Sequence, residues 1–90
     1  MIRLEIVAKP IGVTSLFDKY GIPRPYDFNF ENEKGKNISV RVDKVIDRHM
    51  EKLAGNDMII FTCQTFGVDR VKEYVIKYEL NTCKWMLFNV

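Results

Sequence analysis

The chain has little of several residue types that mark specialised proteins. Its 90 residues include two cysteines, Cys63 and Cys83, and no apolar run near the roughly 20 residues that a membrane helix needs. Two cysteines are too few for a disulfide framework, so we expect two reduced, buried thiols in a cytoplasmic protein. Residues 1–10 mix apolar and charged side chains and lack the apolar centre of a signal peptide. We therefore expect no contact with a membrane.

Charge of one sign is not in large excess either. Fourteen basic and 12 acidic residues leave a net charge of +2, whereas nucleic-acid-binding domains are usually more basic. Acidic residues also dilute the one region that is rich in basic side chains, residues 33–52. Binding of nucleic acid is therefore only the alternative function that we carry forward. Its candidate contact residues are Lys34, Lys36, Arg41, Lys44 and Arg48.

The patterns of a catalytic or metal site are missing as well. The single histidine, His49, lies in a run of charged residues that reads as a solvated surface, whereas a general base or metal ligand normally needs an orienting partner or co-ligands. No Cys-x-x-Cys pair occurs, the acidic residues are scattered, and the five glycines stand singly, so there is no phosphate-binding loop. We therefore predict no catalytic residue, no cofactor and no metal, and a protein that is not an enzyme.

What the chain has in abundance is alternation of apolar and polar residues, which is typical of β-strands. The alternating or strand-like segments are residues 2–8, 26–31, 38–42, 58–66, 70–80 and 83–90. Most are joined by short turns, which favours an antiparallel meander. The sequence thus predicts a mainly β, single-domain protein over residues 1–90. We expect about six strands in a strongly bent sheet or a small, partly closed barrel.

Two segments, residues 11–25 and 45–56, do not read as strands. Ser15 resembles a helix N-cap and Gly21 a helix C-terminal stop, which predicts a short helix over residues 14–20. Residues 47–54 are either a second short helix or an irregular excursion. We therefore expect one or two short helical segments, and we expect Pro10 to end the first strand or to mark a sheet edge.

The final hairpin, residues 70–90, has more apolar residues than a sheet with one solvated face needs. With a two-residue loop, Tyr78 pairs with Trp85, and Glu79 pairs with Lys84 in a favourable cross-strand charge pair. We prefer this register. The apolar residues that it leaves on the second face are Val75, Met86, Phe88 and Val90.

A three-residue loop is the alternative register. It moves Trp85 and Leu87 to the face of Val75, and it commonly needs a positive φ near Cys83, where glycine is preferred. Either way, apolar side chains remain that must be covered by one of the two non-strand segments or by a partner. We predict an interaction module that binds a protein partner or a second copy of itself. The candidate contact residues are Val75, Trp85, Met86, Leu87 and Phe88.

Four stretches carry a family resemblance. Residues 24–30 read Arg-Pro-Tyr-Asp-Phe-Asn-Phe, residues 40–46 are rich in valine, residues 78–80 read Tyr-Glu-Leu, and residues 85–87 read Trp-Met-Leu. This pattern resembles small uncharacterised bacterial domains of unknown function with a Pro-x-x-Phe-x-aromatic strand and a terminal Trp-x-Leu strand. The resemblance covers residue 22 to the C-terminus. Some such proteins are encoded beside translesion DNA polymerases, so the resemblance implies a DNA-repair accessory role at most, and no site residue.

Overall fold

The protein is built from β-strands alone in the part of the chain that its computed structural model describes, residues 8–88. These residues form no helix, and hence none long and apolar enough to cross a membrane. The predicted strand over residues 2–8 falls almost wholly outside the described residues. The strands are β1 (Ala8–Phe17), β2 (Pro23–Glu31), β3 (Asn37–Arg41), β4 (Lys44–Leu53), β5 (Asn56–Phe66), β6 (Val71–Glu79) and β7 (Lys84–Phe88).

The seven strands form one antiparallel sheet in the order β3-β2-β1-β7-β6-β5-β4. Most strands pair with their neighbours in sequence, and β1 also pairs with β7, which brings the two ends of the meander together. Only β3 and β4 are consecutive but unpaired, and they are the two edges of the sheet. The sheet therefore curls into a half-barrel whose wall is open between β3 and β4. The predicted bent meander is confirmed, with seven strands instead of six.

The chain crosses from one edge to the other at Val42 and Asp43. The backbone N–H of Val42 donates to the carbonyl of Tyr26 on β2, at 2.8 Å, and that of Asp43 donates to the carbonyl of Gln64 on β5, at 3.0 Å. Successive residues thus pair with opposite sides of the opening. The side chain of Val42 is 3% exposed and belongs to the core, so the corner is packed as well as hydrogen-bonded.

A side-chain bridge closes the same corner. The Thr65 hydroxyl donates its one proton to the carbonyl oxygen of Arg41, at 2.6 Å, and can therefore only accept a second hydrogen bond. The hydroxyl of Tyr74 therefore donates to Thr65 Oγ1, at 2.7 Å. Burial raises the pKa of Tyr74 above its ordinary value. This bridge links β6 and β5 to the end of β3 across the opening.

The predicted helix over residues 14–20 is wrong. Strand β1 continues to Phe17, and a tight turn follows in which the Asp18 carboxylate accepts hydrogen bonds from the backbone N–H groups of Tyr20 and Ile22. Gly21 has a φ of 79°, which suits glycine at a turn. Of the two residues that indicated a helix, Ser15 lies in β1 and Gly21 lies in the turn, because the strands on both sides of the turn find pairing partners.

Pro10 neither ends a strand nor lies in an edge strand; it lies inside β1, which is central in the sheet. At this point β1 pairs only with β7, since pairing with β2 begins at Gly12. Proline lacks a backbone N–H and is tolerated where one side of a strand has no partner. The local absence of a second neighbour explains this position.

The second non-strand segment, residues 45–56, is also a strand. β4 pairs with β5 over almost its whole length, with a bulge between Val45 and Asp47. The extra residue, Ile46, shifts the alternation, which hides the strand from a search for strict period two. β4 ends in a two-residue turn at Ala54 and Gly55, with φ values of 50° and 78°.

The core lies on the concave side of the half-barrel. Phe61, Cys63 and Ile76, at the centre of β5 and β6, are at most 1% exposed. The layer formed by β2 and β3 covers this centre; Phe28 of β2 contacts Tyr74 of β6 with ring centroids 5.4 Å apart. The two faces of the sheet therefore differ: the concave face packs around the core, and the convex face is turned towards solvent.

The preferred register of the final hairpin is confirmed. Tyr78 pairs with Trp85, and Glu79 pairs with Lys84. The loop has four residues instead of two, and its last residue, Cys83, has a φ of 58°. The positive φ that we associated with the other register therefore occurs in this one, because the four-residue loop turns the chain at the same place.

Candidate functional site

The structure divides the five apolar candidates of the final hairpin between two faces. Leu87 is 8% exposed and lies in the core. Trp85 is half-buried and packs on the core, with its ring centroid 4.6 Å from that of Tyr78. These two residues are therefore part of the packing and offer no free surface. The other three, all half-buried on the convex face, are Val75, Met86 and Phe88.

The convex apolar surface continues onto β5, a feature that the sequence analysis missed. Ile60 faces the convex side, because its neighbours Ile59 and Phe61 both point into the core. The register places Ile60 beside Lys77, and Lys77 beside Met86. Three adjacent strands thus contribute to one patch, which we call the outer patch. Its members are Ile60, Val75, Met86 and Phe88.

One charged side chain lies within the outer patch. The ammonium group of Lys77 is 4.3 Å from the centre of the Phe88 ring and 3.7 Å from a carboxylate oxygen of Glu51. The side chains of Lys77 and Glu51 are only 21% and 31% exposed. A cation over an aromatic ring and a half-buried ion pair hold the lysine stem across the patch. Ile60 beside it is 5% exposed.

Neither of the segments that we expected as a cover for the apolar surplus is available for that role. Residues 11–25 form parts of β1 and β2 and the turn between them, and residues 45–56 form β4 and the following turn. Both segments extend the sheet sideways instead of folding over its convex face. Glu51 of the second segment contacts Lys77 at the edge of the outer patch, but neither segment folds over the patch.

The basic candidates do not share one surface. Lys34 and Lys36 are exposed in the β2–β3 turn, and Arg41 forms an ion pair with Asp43 at 3.5 Å. The β4 bulge separates the remaining two. Lys44 pairs with Gln64 on the convex side, whereas Arg48 pairs with the core residue Phe61 and so lies on the concave side. Without the bulge, these two positions would face the same way.

The aromatic residues of β2 are also divided. Phe28 is 3% exposed and belongs to the core, and Phe30 stacks beside it at 6.2 Å. Tyr26 does not share their face, contrary to the alternation, because the register slips between Thr14 and Ser15 of β1 and leaves Tyr26 as the extra residue. Its ring is 42% exposed and lies 4.3 Å from the guanidinium of Arg24.

The two thiols differ, so the expectation that both are buried is wrong for one of them. Both are free, but Cys63 is fully buried, whereas Cys83 is exposed in the last loop. Burial raises the pKa of Cys63 from 9.0 to about 12, while the charge of Arg24 lowers it slightly. Burial thus keeps this thiol protonated and unreactive.

The titratable groups outside the core serve turns and local pairs. His49 is exposed, with its Nδ1 2.9 Å from the carboxylate of Asp47. Hydrogen bonds from Thr82 and Asn56 lower the pKa of Glu79 below its ordinary value. The first bond ties the last loop to β6, and the second ties the start of β5 to it. Residues 8–88 contain no group of three or more His, Cys, Asp or Glu side chains placed to hold a metal ion.

The concave side holds a second feature that the sequence analysis missed. A cavity of about 380 Å³ lies between the β2–β3 layer and the strands β6 and β7. Two lysines, Lys9 and Lys72, contribute to its lining. Each lysine is an even number of positions from the core residues of its own strand, so it lies on their face of the sheet. This spacing is visible in the sequence and could have indicated the two lysines.

The geometry defines a small all-β half-barrel with two surfaces of interest, the outer patch and the concave cavity. Comparison with protein-family models, with curated proteins and with solved structures finds no match to this chain. The resemblance to small bacterial domains therefore stays a prediction from the sequence pattern.

Proposed function

We propose that this protein is a non-enzymatic interaction module that binds a protein partner through the outer patch. The observation that carries the proposal is the row of half-buried apolar side chains on the convex side of β6 and β7, bordered by the buried Ile60 of β5, over which the chain's own segments 11–25 and 45–56 do not fold. A contiguous apolar surface on the solvent-facing side of a sheet is typical of an interaction site.

The composition of the patch supports a protein partner. Aromatic residues and methionine are enriched at the centres of protein interfaces, and the patch contains Phe88 and Met86. The ion pair of Lys77 and Glu51 adds an ammonium group that donates hydrogen bonds and a carboxylate that accepts them at the same place. Such a pair, on a mostly apolar surface, gives a partner orientation as well as contact area. A second copy of this chain is one partner of that kind.

The pKa shifts support a role without catalysis. Burial raises the pKa values of Cys63 and Tyr74, which makes both groups poorer nucleophiles or bases at neutral pH. The lowered pKa of Glu79 comes from hydrogen bonds that fix a loop. Each shift thus has a structural cause. The free thiols also suit the reducing cytoplasm, which we propose as the location.

A pair of substitutions tests the outer patch. We expect Phe88→Ser to lower the free energy of unfolding by about 1–2 kcal/mol, because Phe88 is half-buried on the convex face and only part of its ring is removed from water. We expect Trp85→Ser to cost about 3–5 kcal/mol, because that ring packs on the core. Urea unfolding measures both. Leu16→Ser is the matched control for Phe88→Ser, since Leu16 is 66% exposed elsewhere on the molecule.

Association is measured on the same variants. Sedimentation velocity across a concentration series should show reversible self-association that Phe88→Ser weakens and Leu16→Ser leaves unchanged. A strictly monomeric protein in which Phe88→Ser is strongly destabilising would show that the patch is structural. Binding of oligonucleotides at low salt that weakens steeply as salt rises would instead favour the nucleic-acid alternative, because backbone contacts release counterions.

A further inference from the structure

The concave cavity has a largely apolar wall. Residues from β2 and β3 form one side of it, and residues from β6 and β7 form the other. Its volume of about 380 Å³ is near the lower end of the roughly 300–1,000 Å³ that is typical of small-molecule sites. The apolar lining residues are Phe28, Phe30, Ile38, Val40, Tyr74 and Leu87.

Two lysines lie at the solvent-reached edge of this apolar space, on its side of the sheet, because of the strand register. Lys9 pairs with Leu87, which lies in the core, so both side chains are on the concave side. Lys72 shares its face with Tyr74 and Ile76, two and four residues further along β6, which are also core residues. An inward-facing lysine on an otherwise apolar face is unusual unless its charge has a use.

The charges at the cavity are unbalanced. Glu33 is the only acidic residue in the described lining, against Lys9 and Lys72. Within residues 8–88 neither lysine forms an ion pair. The ammonium group of Lys9 lies 4.9 Å from the centre of the Phe30 ring, and so directly against the apolar wall. The lining therefore combines an apolar surface with a net positive charge.

We propose that the concave cavity binds a small amphipathic monocarboxylate, in the size class of a medium-chain fatty acid. The carboxylate lies between the ammonium groups of Lys9 and Lys72, and the acyl chain lies against Phe28, Phe30 and Val40. Charge complementarity selects the anionic head group, and the apolar wall selects the tail. The site faces away from the outer patch, so it is independent of the proposed protein interaction.

Titration with decanoate, at concentrations below micelle formation, tests the proposal. Calorimetry and two-dimensional NMR should show saturable binding, with shifts at Phe30, Val40 and Leu87. 1-Decanol and decylammonium are the probes that lack the negative charge, and both should bind more weakly than decanoate. Raising the salt concentration should weaken decanoate binding, because the lysine ends of the site are reached by solvent.

Charge variants separate the head-group contact from simple apolar binding. Lys9→Gln and Lys72→Gln should each raise the Kd for decanoate about fivefold, as expected for the loss of a partly exposed charge pair. Lys36→Gln, in the exposed turn outside the cavity, is the matched control and should leave Kd unchanged. NMR spectra establish that each variant is folded.

Three results would overturn the site. The first is the absence of binding at millimolar decanoate, and the second is equal binding of decanoate and decylammonium. The third is decanoate binding that shifts Met86 and Phe88 instead of the cavity residues, which would place the ligand on the outer patch. Binding that survives both lysine substitutions unchanged likewise contradicts the proposed head-group contact.

Discussion

At the scale of single residues, burial decides which reactive groups stay inert. Cys63 lies at the centre of β5 without exposure, and its pKa is raised from 9.0 to about 12. The folded state therefore holds the thiol proton more tightly than the unfolded chain does. The stability that this contributes is fully present below about pH 9 and is lost as pH rises from about 9 towards 12.

The two thiols should accordingly react at very different rates. At pH 8 we expect a disulfide reagent such as dithiobis(nitrobenzoate) to modify Cys83 quickly, because it is exposed, and Cys63 only as fast as the protein unfolds. Absorbance of the released thiolate gives the count of fast and slow groups. Cys83→Ser is the control that should remove the fast phase alone. Two fast phases in folded protein would contradict the buried position of Cys63.

At the scale of elements, the turns set how neighbouring strands pair. Ala54 and Gly55 form a two-residue turn between β4 and β5 with positive φ at both positions. This is the geometry of a type I′ turn, whose first position favours asparagine over alanine. An alanine in the left-handed region is strained by about 1–2 kcal/mol. The hairpin thus holds a correctable local strain.

Ala54→Asn should stabilise the protein by about 0.5–1 kcal/mol, because asparagine tolerates the left-handed conformation. The midpoint of urea unfolding should rise while the dependence on urea concentration stays the same. Ala54→Val is the opposing control, since a β-branched residue at positive φ should lower the midpoint. A lower midpoint for Ala54→Asn would mean that the turn is not of this type.

At the scale of the whole molecule, one corner links the two edges of the half-barrel. Val42 pairs with β2, and Asp43 pairs with β5. The Asp43 carboxylate also accepts a hydrogen bond from the backbone N–H of Phe66, at 2.8 Å. β3 and β4 make no ladder with each other, so these few contacts hold the opening at its observed width.

Two Val→Ala substitutions test the importance of this corner. Val42→Ala should lower the free energy of unfolding by about 1–3 kcal/mol, because it leaves a cavity in the core where the chain crosses from β3 to β4. Val71→Ala, at a side chain that is 54% exposed, should change it by no more than about 0.5 kcal/mol. Chemical denaturation compares the pair directly. Similar losses of unfolding free energy at both positions would show that the corner contributes no more to stability than an exposed strand position does.

The sequence predicted the segments whose partners lie nearby in the chain. The alternation of residues 70–80 and the charge pair Glu79–Lys84 indicated the correct register for the last hairpin. The glycine turn between β2 and β3 was visible in the same way, since Gly35 has a φ of 77°. Two of the five apolar candidates, Trp85 and Leu87, nevertheless lie on the core side in that register. The candidate contact residues that remain are the three on the convex face, Val75, Met86 and Phe88.

The sequence misled us where a strand depends on distant partners. The first half of β1 pairs with β7, which lies far along the chain (Ala8 pairs with Phe88), and no local pattern indicates that pairing. Bulges at Tyr26 and Ile46 shift the alternation, so their strands present different faces from those that strict period two predicts. Strand preference depends on neighbours across the sheet, which helical caps and stops in the sequence do not reveal.

By itself, then, the sequence determined that the chain is mainly β, where several of its turns lie, and how its last two strands pair. Those features depend on alternation and turn chemistry between residues close in sequence. The tertiary structure alone decided that β1 closes on β7, that the convex patch extends to Ile60, and that Lys9 and Lys72 meet at one cavity. These features depend on strand order and curvature, which bring together residues that are dozens of positions apart.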